Sequence, residues 1–541
     1  MGKIPAAIGV HAMRRPSVNP GDIGPATEQV FEGRMRFANL IGITVWTATM
    51  TFFWLWWLRS DHVIGWPSYL LVTLALALIT GLPAYFIVIV HDARRMPQAG
   101  PLPAGRIAMV VTRASSESLS LVQTTLRAML DQTGCDFDVW LAEEKPSLDM
   151  MKWCMEHGVF TSTTRESAGA DARDTSLHCK QGNLTSFYDH FGYERYDFVV
   201  QFDAGDVPER TYLREMVRPF RDPGIGYVSA PSICDADAAS SWAARGMLFA
   251  EAGVQGLVQS GYNNGWAPLC VGTHYAVRTA ALKEIGGPRQ EPAEGLSTTL
   301  AMNAGGWRGI HALDAIAHGN GPATFTDLMM QEFDRSRSRM TTLLRHAPDY
   351  MPKLSGWLKF QFLFSELCYP LFSLGLAVLF ILPIVALLTG HSFVDVTYPA
   401  FLLHFLPIVA ALIALVFIWR ATGTFRPANA KIASWESVAF LLLRWPWSLI
   451  GCAAAIRDRL THSRGDFHVA PKRVAAGQAL LLRVLAPYIV LSLGSAQAMA
   501  FAFDRETAQG FFIFAAINAL VYAALIGLIV ARHVTENTLS R

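Results

Sequence analysis

The 541-residue chain carries 45 basic and 43 acidic residues, a formal net charge of +2; 16% of its residues are charged and 52% are hydrophobic. Disorder needs low hydrophobicity with high net charge, and nucleic-acid binding needs a basic footprint. This composition excludes the first as the dominant state and gives the second no support. Much of the chain is suited to lipid. Seven cysteines, at 135, 154, 179, 234, 270, 368 and 452, form no C-x-x-C pair and have no zinc-spaced histidine. They read as reduced thiols in a protein that faces the cytoplasm.

Segment 1–36 holds Lys3, Arg14, Arg15, Arg34 and Arg36 without an early apolar run, so no cleaved signal peptide is expected. A spanning helix needs about 20 mostly apolar residues. Phe37–Leu58, which ends in an aromatic cluster suited to an interface, and Trp66–Val90 both qualify, giving two predicted spans over 37–90. Segment 91–358 has no comparable run. It alternates predicted strands (Ile107–Val111, Phe137–Ala142, Phe198–Phe202, Gly226–Ala230) with predicted helices (Leu119–Leu130, Leu148–His157, Tyr212–Phe220). That alternation predicts an α/β domain with a mostly parallel sheet covered on both faces.

Ligands in such sheets collect at the carboxyl ends of strands. Glu143 and Glu144 follow one predicted strand, and Asp203, with Asp206 three residues on, follows another. Lys180-Gln181-Gly182-Asn183 opens the helix before the Asp203 strand. Carboxylates beside a lysine suit a diphosphate on Mg²⁺ or Mn²⁺. Each acid alone is also an ordinary turn or cap residue; their joint placement is the signal.

Region 359–541 contains apolar runs at Tyr369–Leu388, Tyr398–Trp419, Val438–Ile456, Ala479–Phe501 and Phe511–Ala531. Arg444 would be costly at the bilayer centre, so Val438–Ile456 is expected to lie at the interface or re-enter, leaving about four spans here and six in all. Loops 1–36, 91–100, 420–436, 457–477 and 532–541 then share one side and hold nearly all the loop Lys and Arg, while the opposite loops hold Arg59 and Arg505. The asymmetry predicts both termini and 91–358 in the cytoplasm, under an inner (plasma) membrane. The stretch 457–477 is basic, with Phe467 and Val469 set between cations, and suits anionic lipid.

These residues carry a resemblance. The order Lys180-x-Gly182-Asn183, Phe202-Asp203-Ala204, Gly306-Trp307 and Gln331 resembles the K-x-G-N, F-D-A-D, G-W and Q-x-x-R-W series of membrane-embedded family-2 glycosyltransferases, the group of cellulose and hyaluronan synthases. Phe467-x-Val469-Ala470-Pro471-Lys472 is similar to that group's gating-loop text. The resemblance implies a Rossmann-like GT-A domain inserted between transmembrane helices. It implies a nucleotide-sugar donor, UDP-linked, and a growing glycan acceptor that leaves through the spans. Glu117, Glu143, Glu144, Lys180, Asn183 and Asp203 would bind the donor, with Asp203 and Asp206 on Mg²⁺ or Mn²⁺. Glu294 and Asp206 would take the catalytic roles, and Trp266, Trp307, Gln331 and Arg335 the acceptor side. A membrane partner protein is compatible with this arrangement.

Three departures fall on the motifs that carry chemistry. F-D-A-D reads Phe202-Asp203-Ala204-Gly205, which removes the second carboxylate; Asp206 is one residue further along. The family's E-D pair reads Glu294-Gly295, which removes the general base; such a loss costs roughly 10²–10⁴ in rate. Q-x-x-R-W reads Gln331-Glu332-Phe333-Asp334-Arg335. Two expectations follow: a transferase in which Asp206 and Glu294 work in altered geometry, or an impaired copy that binds donor or a partner without turnover. Arg335, Arg337 and Arg339 also fit a solvated helix face. Gly261–Trp266 fits a structured loop, and His274 and His318 fit structural roles.

Overall fold

The computed structural model describes residues 27–114, 117–163, 177–289, 293–461, 482–503 and 509–539. The soluble segment is built on seven strands: β1 (Ile107–Thr112), β2 (Asp138–Ala142), β3 (Phe160–Ser162), β4 (Phe198–Asp203), β5 (Ile225–Ser229), β6 (His274–Arg278) and β7 (Arg308–His311). Their spatial order is β7-β5-β6-β4-β1-β2-β3. Neighbours run parallel except at β6, which is antiparallel to both β4 and β5.

β1 shows why the sheet is central. All six of its residues are buried, and alternate side chains enter opposite cores. Ile107, Met109 and Val111 pack with Leu126, Met129 and Tyr212, while Ala108 and Val110 pack with Phe187, Tyr188 and Leu282. Local signals fix the flanking helices. Ser118 and Ser147 cap Leu119–Leu130 and Leu148–His157, and Gly158 ends the second in the left-handed conformation at φ +70°. From β1 the chain runs outward through β2 and β3, then returns to place β4 on the other side of β1. Ligand crevices open where strand order reverses in this way, and here Thr112 and Asp203 lie side by side across it.

The α/β domain inserted between membrane-type helices agrees with the sequence reading. The purely parallel reading needs one correction, the antiparallel β6. Its His-Tyr-Ala-Val-Arg text lacks the continuous apolar run of β1, so it carries no strand signal on its own.

Among the described residues, seven helices are long and apolar enough to cross a membrane: Gly33–Trp57, Trp66–His91, Gly356–Thr389, Tyr398–Arg420, Trp435–Leu460, Leu482–Ala502 and Gly510–Glu536. Glu28–Gln29 pairs with Arg94–Arg95, so the chain enters the first helix and leaves the second on one side. At the other end, the Asp395 N–H donates to the His62 carbonyl at 3.0 Å. Glu536, in the last helix, accepts from the Trp242 N–H at 2.9 Å and so reaches back to the soluble domain.

Trp435–Leu460 differs from the other six. It is the most buried of them, with 56% of its apolar window inside the protein. Its first turn carries Glu436, 3.2 Å from Arg245 Nε, and its last turn carries Asp458, 3.0 Å from Arg337 Nε. Both ends are therefore tied to the soluble domain. Between them Gly451 lies against the helix Phe325–Thr341, so close that a Cβ at this position would sit 2.5 Å from the Phe333 carbonyl oxygen.

Candidate active site

A cavity of about 450 Å³ opens at the carboxyl ends of β1 and β4. Thr112 and Asp203 form one wall and Lys180 a second; Glu294, at the start of helix Glu294–Ala304, forms a third. The remaining wall is one face of Phe325–Thr341, presenting Asp334, Arg335, Ser338 and Arg339. Positions three and four apart share such a face. A capping box fixes where this helix starts: Thr324 Oγ1 accepts from the Asp327 N–H at 3.2 Å, and Asp327 accepts from the Thr324 N–H at 3.0 Å.

Lys180 Nζ donates to Glu117 Oε1 at 2.9 Å and stands 3.4 Å from Asp203 Oδ2. Burial works against its charge, but Asp203 and Glu117 together outweigh burial and raise its pKa, so it remains an ammonium at neutral pH. Glu117 also accepts from the Ala114 N–H at 2.9 Å. Arg113 is the hub behind this pair. Its Nε donates to the Glu117 carbonyl at 3.0 Å, its guanidinium pairs with Glu143, and its own carbonyl accepts from Asn183 Nδ2 at 3.4 Å. Burial pushes the Glu143 carboxyl upward, against the pull of Arg113. Five of the six expected donor residues thus belong to one connected polar network. Glu144 is exposed, lies 3.9 Å from Lys145 and is not among the residues that line the cavity.

Glu294 lines the cavity and accepts a hydrogen bond from the Tyr275 hydroxyl at 2.6 Å. The two glycines at the altered motifs are built into the backbone. A Cβ on Gly295 would lie 2.2 Å from the Cys270 carbonyl oxygen, a backbone atom that cannot swing away. Gly205 has φ +99°, donates its N–H to Thr125 Oγ1 at 2.9 Å, and would bring a Cβ within 2.8 Å of Asn320 Nδ2. Asp206 is buried, with Oδ1 against Gly319, and is not among the residues lining the cavity.

Those placements bear on the expected cation. Mg²⁺ and Mn²⁺ need several oxygen ligands. At the expected motif Asp203 supplies one carboxylate, Gly205 supplies none, and Asp206 faces elsewhere. Among the described residues no three acidic, histidine or cysteine side chains converge, and Asp203 Oδ2 already faces an ammonium. The residues present do not fit a resident divalent metal on Asp203 and Asp206.

The acceptor residues expected from the sequence separate as well. Trp307 is 3% exposed in the core beneath the sheet, with Nε1 donating to Glu284 at 3.1 Å. Trp266 packs on Trp357 at a tilt of 37°, with ring centroids 3.8 Å apart, and lies near Tyr85. Both are occupied in packing. Gln331 is half-buried outside the cavity lining, and Arg335 lines the cavity while paired with Glu251. The solvated reading of the arginine series is overturned: Arg337 is buried against Asp458, and Arg339 faces the cavity. Gly261 and Tyr262 end the helix Gln259–Tyr262 and the following residues turn away from it, with the Tyr262 and Tyr85 hydroxyls 3.1 Å apart. His274 meets Tyr212 at 2.9 Å and His318 meets Asp235 at 2.9 Å. Phe467–Lys472 lies outside the described residues.

Tyr275 and Arg113 escaped the sequence reading, and Arg339 entered it only as part of a solvated helix face. Arg339 was the accessible one, because it lies four residues after Arg335 and therefore on the same helix face.

A family model described as glycosyltransferase-like family 2 matches residues 103–340, the stretch that holds the mixed sheet described above. No curated protein matches the chain. Solved structures similar to it include a mannosyltransferase from Pyrobaculum calidifontis in complex with GDP-Man and Mn²⁺. That one is 15% identical over 72% of this chain and 99% of its own, with a TM-score of 0.46. TarS from S. aureus is 12% identical over 59% and 54%, with a TM-score of 0.27. Glucosyl-3-phosphoglycerate synthase from Mycobacterium tuberculosis, with Mn²⁺, UDP-glucose and phosphoglyceric acid, is 14% identical over 45% and 80%, with a TM-score of 0.28.

Proposed function

We propose that this chain is a membrane glycosyltransferase that takes a hexose from a UDP-linked donor and adds it, with inversion, to a growing polysaccharide. The observation that carries the reading is the cavity at the strand-order switch, lined together by Lys180, Asp203 and Glu294. The Arg113 network holds Glu117, Glu143 and Asn183 behind the donor, and Lys180 meets its phosphates. Of the two cavity carboxylates other than Asp203, which are Glu294 and Asp334, Glu294 is the one assigned as base. It takes the proton of an acceptor hydroxyl while that oxygen attacks the anomeric carbon and the nucleoside diphosphate leaves. Tyr275 fixes the carboxylate's orientation.

An exit path through the spans is supported by buried polar groups in them, which are costly in lipid and mark pathways. Neither carboxylate oxygen of Glu366 has a hydrogen-bond partner among the described residues, and the same holds for Ser495 Oγ. The loop charges support a cytoplasmic domain and cytoplasmic termini in the plasma membrane. The two tied ends of Trp435–Leu460 support six crossings, with that helix lying along the interface.

The test is release of UDP by the purified full chain from UDP-glucose, UDP-N-acetylglucosamine and UDP-galactose. Release is expected to fall by roughly 10²–10⁴ in Glu294→Gln. No release from any of the three overturns transfer from a UDP-hexose. A second reading, a donor-binding subunit without turnover, is favoured by the Gly295 contact with Cys270, which leaves no room for the missing base. It expects saturable UDP binding with no release.

A further inference from the structure

Two features of the cavity bear on how the charge of a bound diphosphate is met. Lys180 bridges Glu117 and Asp203 at the place where the fold would otherwise seat a cation. Arg339 lines the same cavity; among the described residues no ion pair within 4.0 Å holds it, while its charge also reaches Glu251 and the buried Glu366. The neighbouring arginines on its helix are committed, Arg335 to Glu251 and Arg337 to Asp458.

We propose that the cavity binds a nucleoside diphosphate without a divalent cation, its charge met by the Lys180 ammonium and the Arg339 guanidinium. This rests on the donor-binding reading above and departs from the metal dependence of the fold. The chemistry of the groups carries it. An ammonium has three N–H donors. Lys180 directs one to Glu117 and a second toward Asp203, which leaves one for a phosphate oxygen. A guanidinium offers a planar fork that matches two phosphate oxygens at once and is always charged. A divalent ion on Asp203 would instead lie within a few ångströms of the ammonium, and two cations on one carboxylate repel. Gly205, with φ +99° and Asn320 beside it, has no side chain to offer such an ion. Asp203 thus serves to hold Lys180 in place.

The experiment is isothermal titration of the full chain in detergent micelles with UDP and with GDP, once in excess EDTA and once in excess MnCl₂. The dissociation constant of whichever nucleotide binds is expected to agree within about threefold between the two conditions. A tenfold or greater weakening in EDTA overturns the proposal while leaving donor binding intact. Absence of binding by both nucleotides in both conditions instead removes the donor-binding reading, and this proposal with it. In EDTA, Arg339→Gln is expected to weaken binding at least tenfold and Arg339→Lys to recover part of the loss. Unchanged binding in Arg339→Gln also overturns it. The native-chain titration stands whether or not the variants fold.

Discussion

The sheet and the seam between Phe325–Thr341 and Trp435–Leu460 are held together by opposite means. In the sheet, Met109, Val111, Val200 and Phe202 are at most 1% exposed and touch apolar neighbours. In the seam, buried charges face each other: Arg444 meets Glu332 at 2.9 Å, and Arg337 meets Asp458. Apolar burial is non-directional and supplies stability in proportion to area. A buried ion pair gives little net stability, because desolvation offsets attraction, but it is unforgiving of half-removal. The sheet therefore supplies stability, and the seam supplies register between the cavity helix and the membrane region.

The sharpest way to break that comparison is Glu332→Ala, which strands Arg444 in the seam. It is expected to lower stability by about 3–5 kcal/mol, read as a drop in the unfolding midpoint in detergent. The double change Glu332→Leu with Arg444→Met is expected to recover most of the loss; no recovery would make the seam an ordinary packed interface. In the sheet, Met109→Ala is expected to cost roughly 2–5 kcal/mol through the cavity it leaves, and denaturant titration would measure it. Next in size, Gly295→Ala forces a Cβ onto the Cys270 carbonyl and is expected to cost about 1–3 kcal/mol. Gly295→Asp is expected to gain no UDP release; a gain would mean that the backbone yields there.

The smallest effect is a slope with pH. Burial holds His274 down at a pKa of about 4, with Asp203 pulling the other way, whereas an unfolded histidine titrates near 6.5. As pH falls through that interval the unfolded chain binds the proton first. The stability present above pH 6.5 is therefore lost toward pH 4, by roughly 1.4 kcal/mol per pH unit at most. Stability curves of the native chain and His274→Asn between pH 4 and 7 would show whether this histidine supplies the acid limb.

The sequence was most readable where burial is two-sided. Leu119–Leu130 and Leu148–His157 begin and end where their caps and periodicity put them, and β1 and β4 follow their apolar runs. Lys180 and Asp203 were readable as strand-end chemistry. Glu143 and Glu144 were not separable, because adjacent residues in extended chain point opposite ways and only the tertiary fold says which way Arg113 lies. Trp307 keeps its place in the motif, yet its burial against Gly226 and its bond to Glu284 depend on chain far from it in sequence. The alternation of Arg335, Arg337 and Arg339 between cavity and seam was within reach of helical periodicity. What covers each face was not.

The two fastened ends of Trp435–Leu460 make that helix a strut. Because its glycine 451 rests on the Phe333 carbonyl, a bilayer that tilts the strut, by changed thickness or curvature, must also move Asp334, Arg335 and Arg339 one layer away. A tilt of this helix would in this way be carried to one wall of the cavity.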